Sequence, residues 1–228
     1  MYPNKEVTLK TAQHLINKTI PTLNNSEDAL KALNLMDEFR LGHLPIVENG
    51  KFQGLVSEAE LLESEQYEGR VDTAVRLIEV SVLPGQHILD VLKVASENHL
   101  SLVAVVDADK NYMGSISLED LVEYLSDYQS ASQPGGIIVL EMHPNDYHLS
   151  KIAHIVEEND SKILHTNVMP SGENNLMEVH LKINKADVNA ILQSLNRFGY
   201  EVKASYQEPV YTEDMRKRYE ELMKYLNM

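Results

Sequence analysis

The chain has 228 residues, enough for one large domain or two to three small ones. Hydrophobic residues make up 43% and charged residues 24%, which supplies buried cores and excludes a disordered or fibrous chain. Lys and Arg total 20 against 35 Asp and Glu, a formal net charge of −15 that would repel nucleic-acid phosphates over most of the surface.

The absence of cysteine excludes disulfide scaffolds, thiolate zinc sites and cysteine nucleophiles. Met1 to Lys10 carries no apolar stretch behind a basic end, so it does not read as a signal peptide. The densest apolar run, Leu100 to Val106, is strand-sized and far short of the roughly 20 residues a membrane helix needs. The expectation is a cytoplasmic protein with neither a nucleic-acid nor a membrane partner.

Two segments of the chain repeat the same order of events. The first runs from a strand pattern at Ile20–Leu23 through a helical face of Ala29, Leu30, Leu33 and Met36. It continues with Leu41–Val47, a polar turn at Glu48–Lys51, Phe52–Ser57 and a helix start at Glu58–Leu62. The second runs Val80–Leu83, then a helix with Ile88, Val91, Leu92 and Ala95, then Leu100–Val106. A turn at Asp107–Asn111, Tyr112–Ser117 and Leu118–Val122 complete it. Met36/Ala95 and Val47/Val106 are 59 apart, whereas Gly54/Gly114 and Ser57/Ser117 are 60 apart, so one residue is inserted in the turn. Asn49-Gly50 predicts a tight hairpin, since both residues accept positive φ. Two such small units should pack together and share a core.

Each unit ends in Gly-x-x-Ser-x-x-Glu/Asp ahead of a helix: Gly54, Ser57 and Glu60, then Gly114, Ser117 and Asp120. Together with Leu44–Glu48 and Val103–Asp107 these phrases resemble a tandem cystathionine-β-synthase (CBS) domain pair, or Bateman module, over roughly residues 9 to 126. Ser57/Glu60 and Ser117/Asp120 have the spacing of an N-terminal capping box. The same geometry can instead hold a ligand, with the helix N–H groups on a phosphate and the carboxylate on a ribose diol. The resemblance implies an adenosyl ligand (AMP, ATP or S-adenosylmethionine) between the repeats, with Thr22 and Ser81 lining the same clefts. Only Ser117/Asp120 carries the family's usual acid; Glu60 is one methylene longer.

Ser126 to Gly136 reads as a linker, broken by Pro-Gly-Gly. Beyond it come a strand at Ile137–Leu140, a helical face of Leu149, Ile152, Ala153 and Val156, and strands at 161–168 and 176–183. Asn184 and Asp187 can cap a helix bearing Val188, Ile191, Leu192 and Leu195, Gly199 stops it, and Tyr200–Tyr206 completes a ferredoxin-like βαββαβ order. This block resembles an ACT domain, most closely in Phe198–Val202. Its first strand-to-helix loop, His143–Tyr147, lacks the glycine that effector-binding ACT domains use for close approach, so packing and dimerisation are favoured over amino-acid binding. Thr212 to Met228 predicts an amphipathic helix, with Met215, Tyr219, Leu222, Met223 and Leu226 on one face. CBS pairs followed by an ACT-like domain resemble acetoin-utilisation-type bacterial regulatory proteins.

The sequence reading is therefore an α/β (α+β) chain. It has CBS repeat 1 at 1–68, CBS repeat 2 at 69–128, a linker at 129–136, an ACT-like domain at 137–207 and a C-terminal helix at 208–228. His143, His148 and His154 lie five and six apart, off the i, i+4 spacing of a helical metal pair, and no phosphate loop or nucleophile elbow occurs. The expectation is a non-catalytic, homodimeric regulator that needs no cofactor or metal and acts on an unidentified target protein. The alternative is a ligand-free interaction scaffold.

Overall fold

The computed structural model describes residues 11–64, 69–171 and 175–207. The expectations for Met1–Lys10 and for the helix at 208–228 fall outside these residues. The chain divides into two compact units at Leu125/Ser126, inside the last helix of the repeat region.

In the first unit the two repeats fold alike. Repeat 1 has α1 (Ala29–Phe39), β1 (His43–Glu48), β2 (Lys51–Ser57) and α2 (Glu58–Ser64), and a single-turn α3 (Val71–Ala74) stands between the repeats in sequence. Repeat 2 has β3 (Ser81–Val82), α4 (Ile88–Glu97), β4 (Leu102–Val106), β5 (Tyr112–Ser117) and α5 (Leu118–Tyr128). Asp28 starts α1 by accepting the Lys31 N–H at 2.7 Å, and Arg40 ends it in the left-handed region. Ala29, Ala32 and Met36 bury one face of α1, as Ile88, Val91 and Ala95 do for α4. All five residues of β4 are buried, which suits a strand covered on both faces.

The Asn49-Gly50 turn has φ of 51° and 77°, as the hairpin signal requires. The strand expected at Ile20–Leu23 does not form as a strand. Pro21 has no N–H to donate, and only Leu23 bridges β1, opposite Ile46. Its repeat-2 counterpart forms over two residues, with Ser81 and Val82 parallel to Ala104 and Val105.

The repeats interlock. Lys51 bridges Asn111, the Phe52 N–H donates to the Lys110 carbonyl at 3.0 Å, and the Tyr112 N–H donates to the Gly50 carbonyl at 2.9 Å. Each repeat also lends the other its leading segment: Asn17 bridges Ser115 on β5, and Ile78 bridges Leu55 on β2. Ala12, Ile20, Phe52 and Leu55 thus join the core of repeat 2.

The second unit has β6 (Ile137–Met142), α6 (Leu149–Glu158), β7 (Ile163–Ser171), β8 (Leu176–Ile183), α7 (Asn189–Arg197) and β9 (Glu201–Tyr206). The sheet runs β7-β8-β6-β9 with every pair antiparallel, a ferredoxin-like βαββαβ fold. Ile152, Ile155 and Val156 of α6 and Ile191 and Leu195 of α7 pack on Ile138, Leu140, Val179 and Leu181. Lys203 pairs with both Glu141 and Glu178, which sit opposite each other on β6 and β8. These hydrogen bonds hold both carboxyls below their ordinary range and raise Lys203. Asp187 does support the start of α7, accepting the Asn189 N–H at 3.0 Å. Asn184 does not cap it: its Oδ1 accepts from the Lys162 N–H at 2.7 Å and ties two loops together.

Candidate functional site

The exchange of leading segments builds two equivalent clefts in the first unit, each of about 760 Å³. One is lined by residues 13–18 of repeat 1 with Tyr112, Met113 and Asp120 of repeat 2. The other is lined by residues 75–80 of repeat 2 with Glu60 of repeat 1. Glycine permits the close approach behind each. A Cβ on Gly114 would meet Ile16 Cγ2 at 2.4 Å, and one on Gly54 would meet Leu77 Cβ at 2.8 Å.

Ser117 and Asp120 form a complete capping box at the start of α5. Asp120 Oδ2 accepts the Ser117 N–H at 3.1 Å and the Ser117 hydroxyl at 2.6 Å, while Ser117 Oγ accepts the Asp120 N–H at 3.1 Å. Asp120 Oδ1 accepts no hydrogen bond from the described residues, and the carboxylate lines the first cleft. In repeat 1 no hydrogen bond among the described residues joins Ser57 to Glu60. Ser57 is buried, and Glu60 is exposed on the second cleft.

Thr22 is exposed beside the Leu23 bridge, and Ser81 sits half-buried in β3 opposite Ala104. Neither Thr22 nor Ser81 is among the residues lining the two clefts, nor are the two motif serines. The structure therefore gathers the two motif acids onto the clefts.

Reading the motifs alone misses His14, Lys18, Tyr112 and Met113. The legible signal is the 61-residue offset of Ile16/Leu77 and Asn17/Ile78, which extends the repeat upstream of the first predicted strand. The His14 ring accepts the Thr11 N–H on Nδ1 at 3.1 Å, so the neutral ring carries its proton on Nε2. Burial raises the Tyr112 phenol above its ordinary range, partly offset by its 2.8 Å hydrogen bond with Ser115.

A serine–histidine contact lies at the seam between the repeats. His43 Nδ1 accepts the Ser101 N–H at 3.1 Å and stands 3.1 Å from Ser101 Oγ. His43 and Ser101 line neither cleft, and burial lowers the His43 pKa.

In the second unit His143, His148 and His154 share a cavity of about 700 Å³ with Lys151, Phe198 and Tyr200. Their sequence spacing gave no hint of this, because His143 and His148 precede α6 and only His154 lies on it. Among the described residues no group of three or more His, Asp or Glu is placed to hold a metal ion. No helix among them is long and apolar enough to cross a membrane.

A duplicated small α/β unit with exchanged leading segments and paired inter-repeat clefts defines the class of the first unit. Residues 12–66 and 77–127 match the family model of the CBS domain, and the chain carries a tandem CBS pair. An uncharacterized protein of Methanocaldococcus jannaschii is 26% identical over 118 residues, covering 51% of this chain and 44% of its own length. A second protein from that organism is matched over 37% of its length, so the chain spans less than half of these curated relatives. A CBS domain pair/ACT domain protein from Thermotoga maritima is 22% identical with a TM-score of 0.47, over 52% of this chain and 98% of that one. CBSX2, a CBS-pair protein from Arabidopsis thaliana, is 19% identical with a TM-score of 0.47 over 54% of this chain and 99% of its own. CBSX2 has also been solved in complex with AMP.

Proposed function

We propose that this chain is a non-catalytic regulatory protein whose CBS pair senses an adenosyl ligand in the cleft lined by Asp120. The observation that carries this reading is the division of labour within one carboxylate. Asp120 Oδ2 is committed to the helix start, while Oδ1 accepts nothing from the described residues at the wall of an open cleft. A carboxylate offers about four acceptor positions, so a ribose diol can be held without opening the cap. An open cleft supports sensing over a scaffold whose clefts are plugged.

AMP, the ligand solved with CBSX2, is the first compound to test, followed by ATP and S-adenosylmethionine. A true ligand at a hundred times its Kd should stabilise the protein by about 2.7 kcal/mol and raise its Tm. Asp120→Asn should weaken that ligand about ten- to hundred-fold by replacing an acceptor with a donor. No shift with any of the three compounds leaves the scaffold reading in place.

Assembly as a homodimer is part of the proposal. Leu30 and Leu62 are 53% and 50% exposed, and their repeat-2 counterparts Leu89 and Val122 are 48% and 65% exposed. Both repeats thus present the same pair of apolar side chains to solvent, a surface that a two-fold partner covers economically. The edge strands β7 and β9 of the ACT-like domain offer further pairing positions. Light scattering should return twice the 25.8 kDa chain mass, and Leu62→Glu with Val122→Glu should return the monomer.

A further inference from the structure

We infer that the two related clefts differ in their selectivity for phosphate, and that a phosphate-bearing nucleotide enters the Asp120 cleft alone, one per chain. This deepens the adenosyl reading and rests on it. The exchanged segments correspond at an offset of 61, fixed by the bridges Asn17–Ser115 and Ile78–Leu55, and the motif acids Glu60 and Asp120 at 60. Their charges do not match. Lys18 in the Asp120 cleft stands where Glu79 stands in the Glu60 cleft, and His14 stands where Val75 does. The Asp120 cleft sets Lys18 against one carboxylate, with His14 as a further donor. The Glu60 cleft sets Arg76 against two carboxylates, Glu60 and Glu79, and is net negative.

A phosphomonoester carries roughly −1.5 to −2 at pH 7, so it meets a balanced pair of charges in the Asp120 cleft and a net negative lining in the Glu60 cleft. With its ribose on Asp120, a nucleotide at the first cleft finds a cation and a ring N–H within the lining. At the second, with its ribose on Glu60, it finds the Glu79 carboxylate where Lys18 stands in the first, and Arg76 alone is set against both acids. The chain as a whole is at −15, which deepens the penalty wherever no cation intervenes.

The test is calorimetric titration of the full chain with AMP, adenosine and S-adenosylmethionine, repeated on Lys18→Glu and Glu79→Lys. Lys18 is exposed, so its substitution should leave the Tm of the unliganded protein unchanged. The expected result is one AMP per chain, bound about ten-fold or more tighter than adenosine. Lys18→Glu should bring AMP down to the affinity of adenosine while leaving adenosine where it was, and Glu79→Lys should admit a second AMP. Two equal AMP sites in the wild type, equal binding of AMP and adenosine, or an AMP preference that survives Lys18→Glu would each overturn the assignment and leave the adenosyl reading standing. Glu79→Lys that still takes a single AMP overturns the charge account of the second cleft. Failure of all three compounds to bind the wild type overturns the adenosyl reading itself.

Discussion

Phe52 and Tyr112 occupy the same position in the two repeats and stack on each other, ring centroids 6.4 Å apart and planes 18° from parallel. Two equivalent residues can touch in this way only where an approximate two-fold axis passes between them. The neighbouring Lys51–Asn111 bridge, again between equivalent positions, lies on the same axis. Phe52 is buried in the core of repeat 2 although it belongs to repeat 1. Phe52→Ala should therefore cost about 3–5 kcal/mol and should lower the melting of both repeats together. Two separate calorimetric transitions in the first unit, with only one shifted, would contradict the shared core.

That axis shows what a linear reading could and could not reach. The 59- and 60-residue offsets located the repeats, because each local pattern of apolar and turn residues is written twice. The βαββαβ order of the second unit was legible for the same reason, its helices and strands carrying clean periodicities. The exchange of residues 13–18 and 75–80 was not legible, because a short segment pairs equally well with the hairpin of its own repeat or of its neighbour. What decides is long-range: Gly114 and Gly54 leave room for Ile16 and Leu77. The repeated motif pointed to Glu60 and Asp120, which line the clefts, but the basic groups beside them come from that exchanged segment.

The two capping motifs should respond differently to the same substitution. Ser117→Ala removes the acceptor of the Asp120 N–H and one donor to Asp120 Oδ2, and should cost about 1 kcal/mol. The Ser57 hydroxyl makes no hydrogen bond with the described residues and the residue is buried, so Ser57→Ala should be neutral or slightly stabilising. Chemical denaturation of both variants checks this; equal losses would mean that α2 is capped by Ser57 after all.

His43 makes the first unit sensitive to mild acid. Its Nδ1 must stay unprotonated to accept the Ser101 N–H, and burial lowers its folded pKa from 6.5. The unfolded chain therefore takes up the proton first. The contribution of His43 is complete above pH 6.5 and is lost as pH falls through the lower folded pKa. His43→Asn keeps an acceptor for Ser101 without a titrating group. Denaturation of wild type and variant across this range should show their stability difference shifting in favour of the variant as pH falls. A difference independent of pH would remove His43 from the titration.

Gly114 links the stability of the first unit to the shape of its Asp120 cleft. Its φ of 141° is strained for any residue with a side chain, and an added Cβ would strike Ile16 and press on the Asn17 carbonyl at 3.4 Å. Ile16 and Asn17 belong to the exchanged segment that carries Lys18, so relief of the clash displaces one wall of the cleft. Gly114→Ala should cost about 1–3 kcal/mol and also weaken AMP and adenosine together, since the wall moves for both. Gly50→Ala provides the comparison: it is also at positive φ, 77°, but nothing lies within 4 Å of its Cβ. That variant should cost about 1–2 kcal/mol through backbone strain alone and leave both affinities unchanged. Titration of the two variants at a temperature where both are folded separates strain from displacement. Equal affinities in both would show that residues 13–18 hold their place without the glycine, and that Gly114 serves the fold alone.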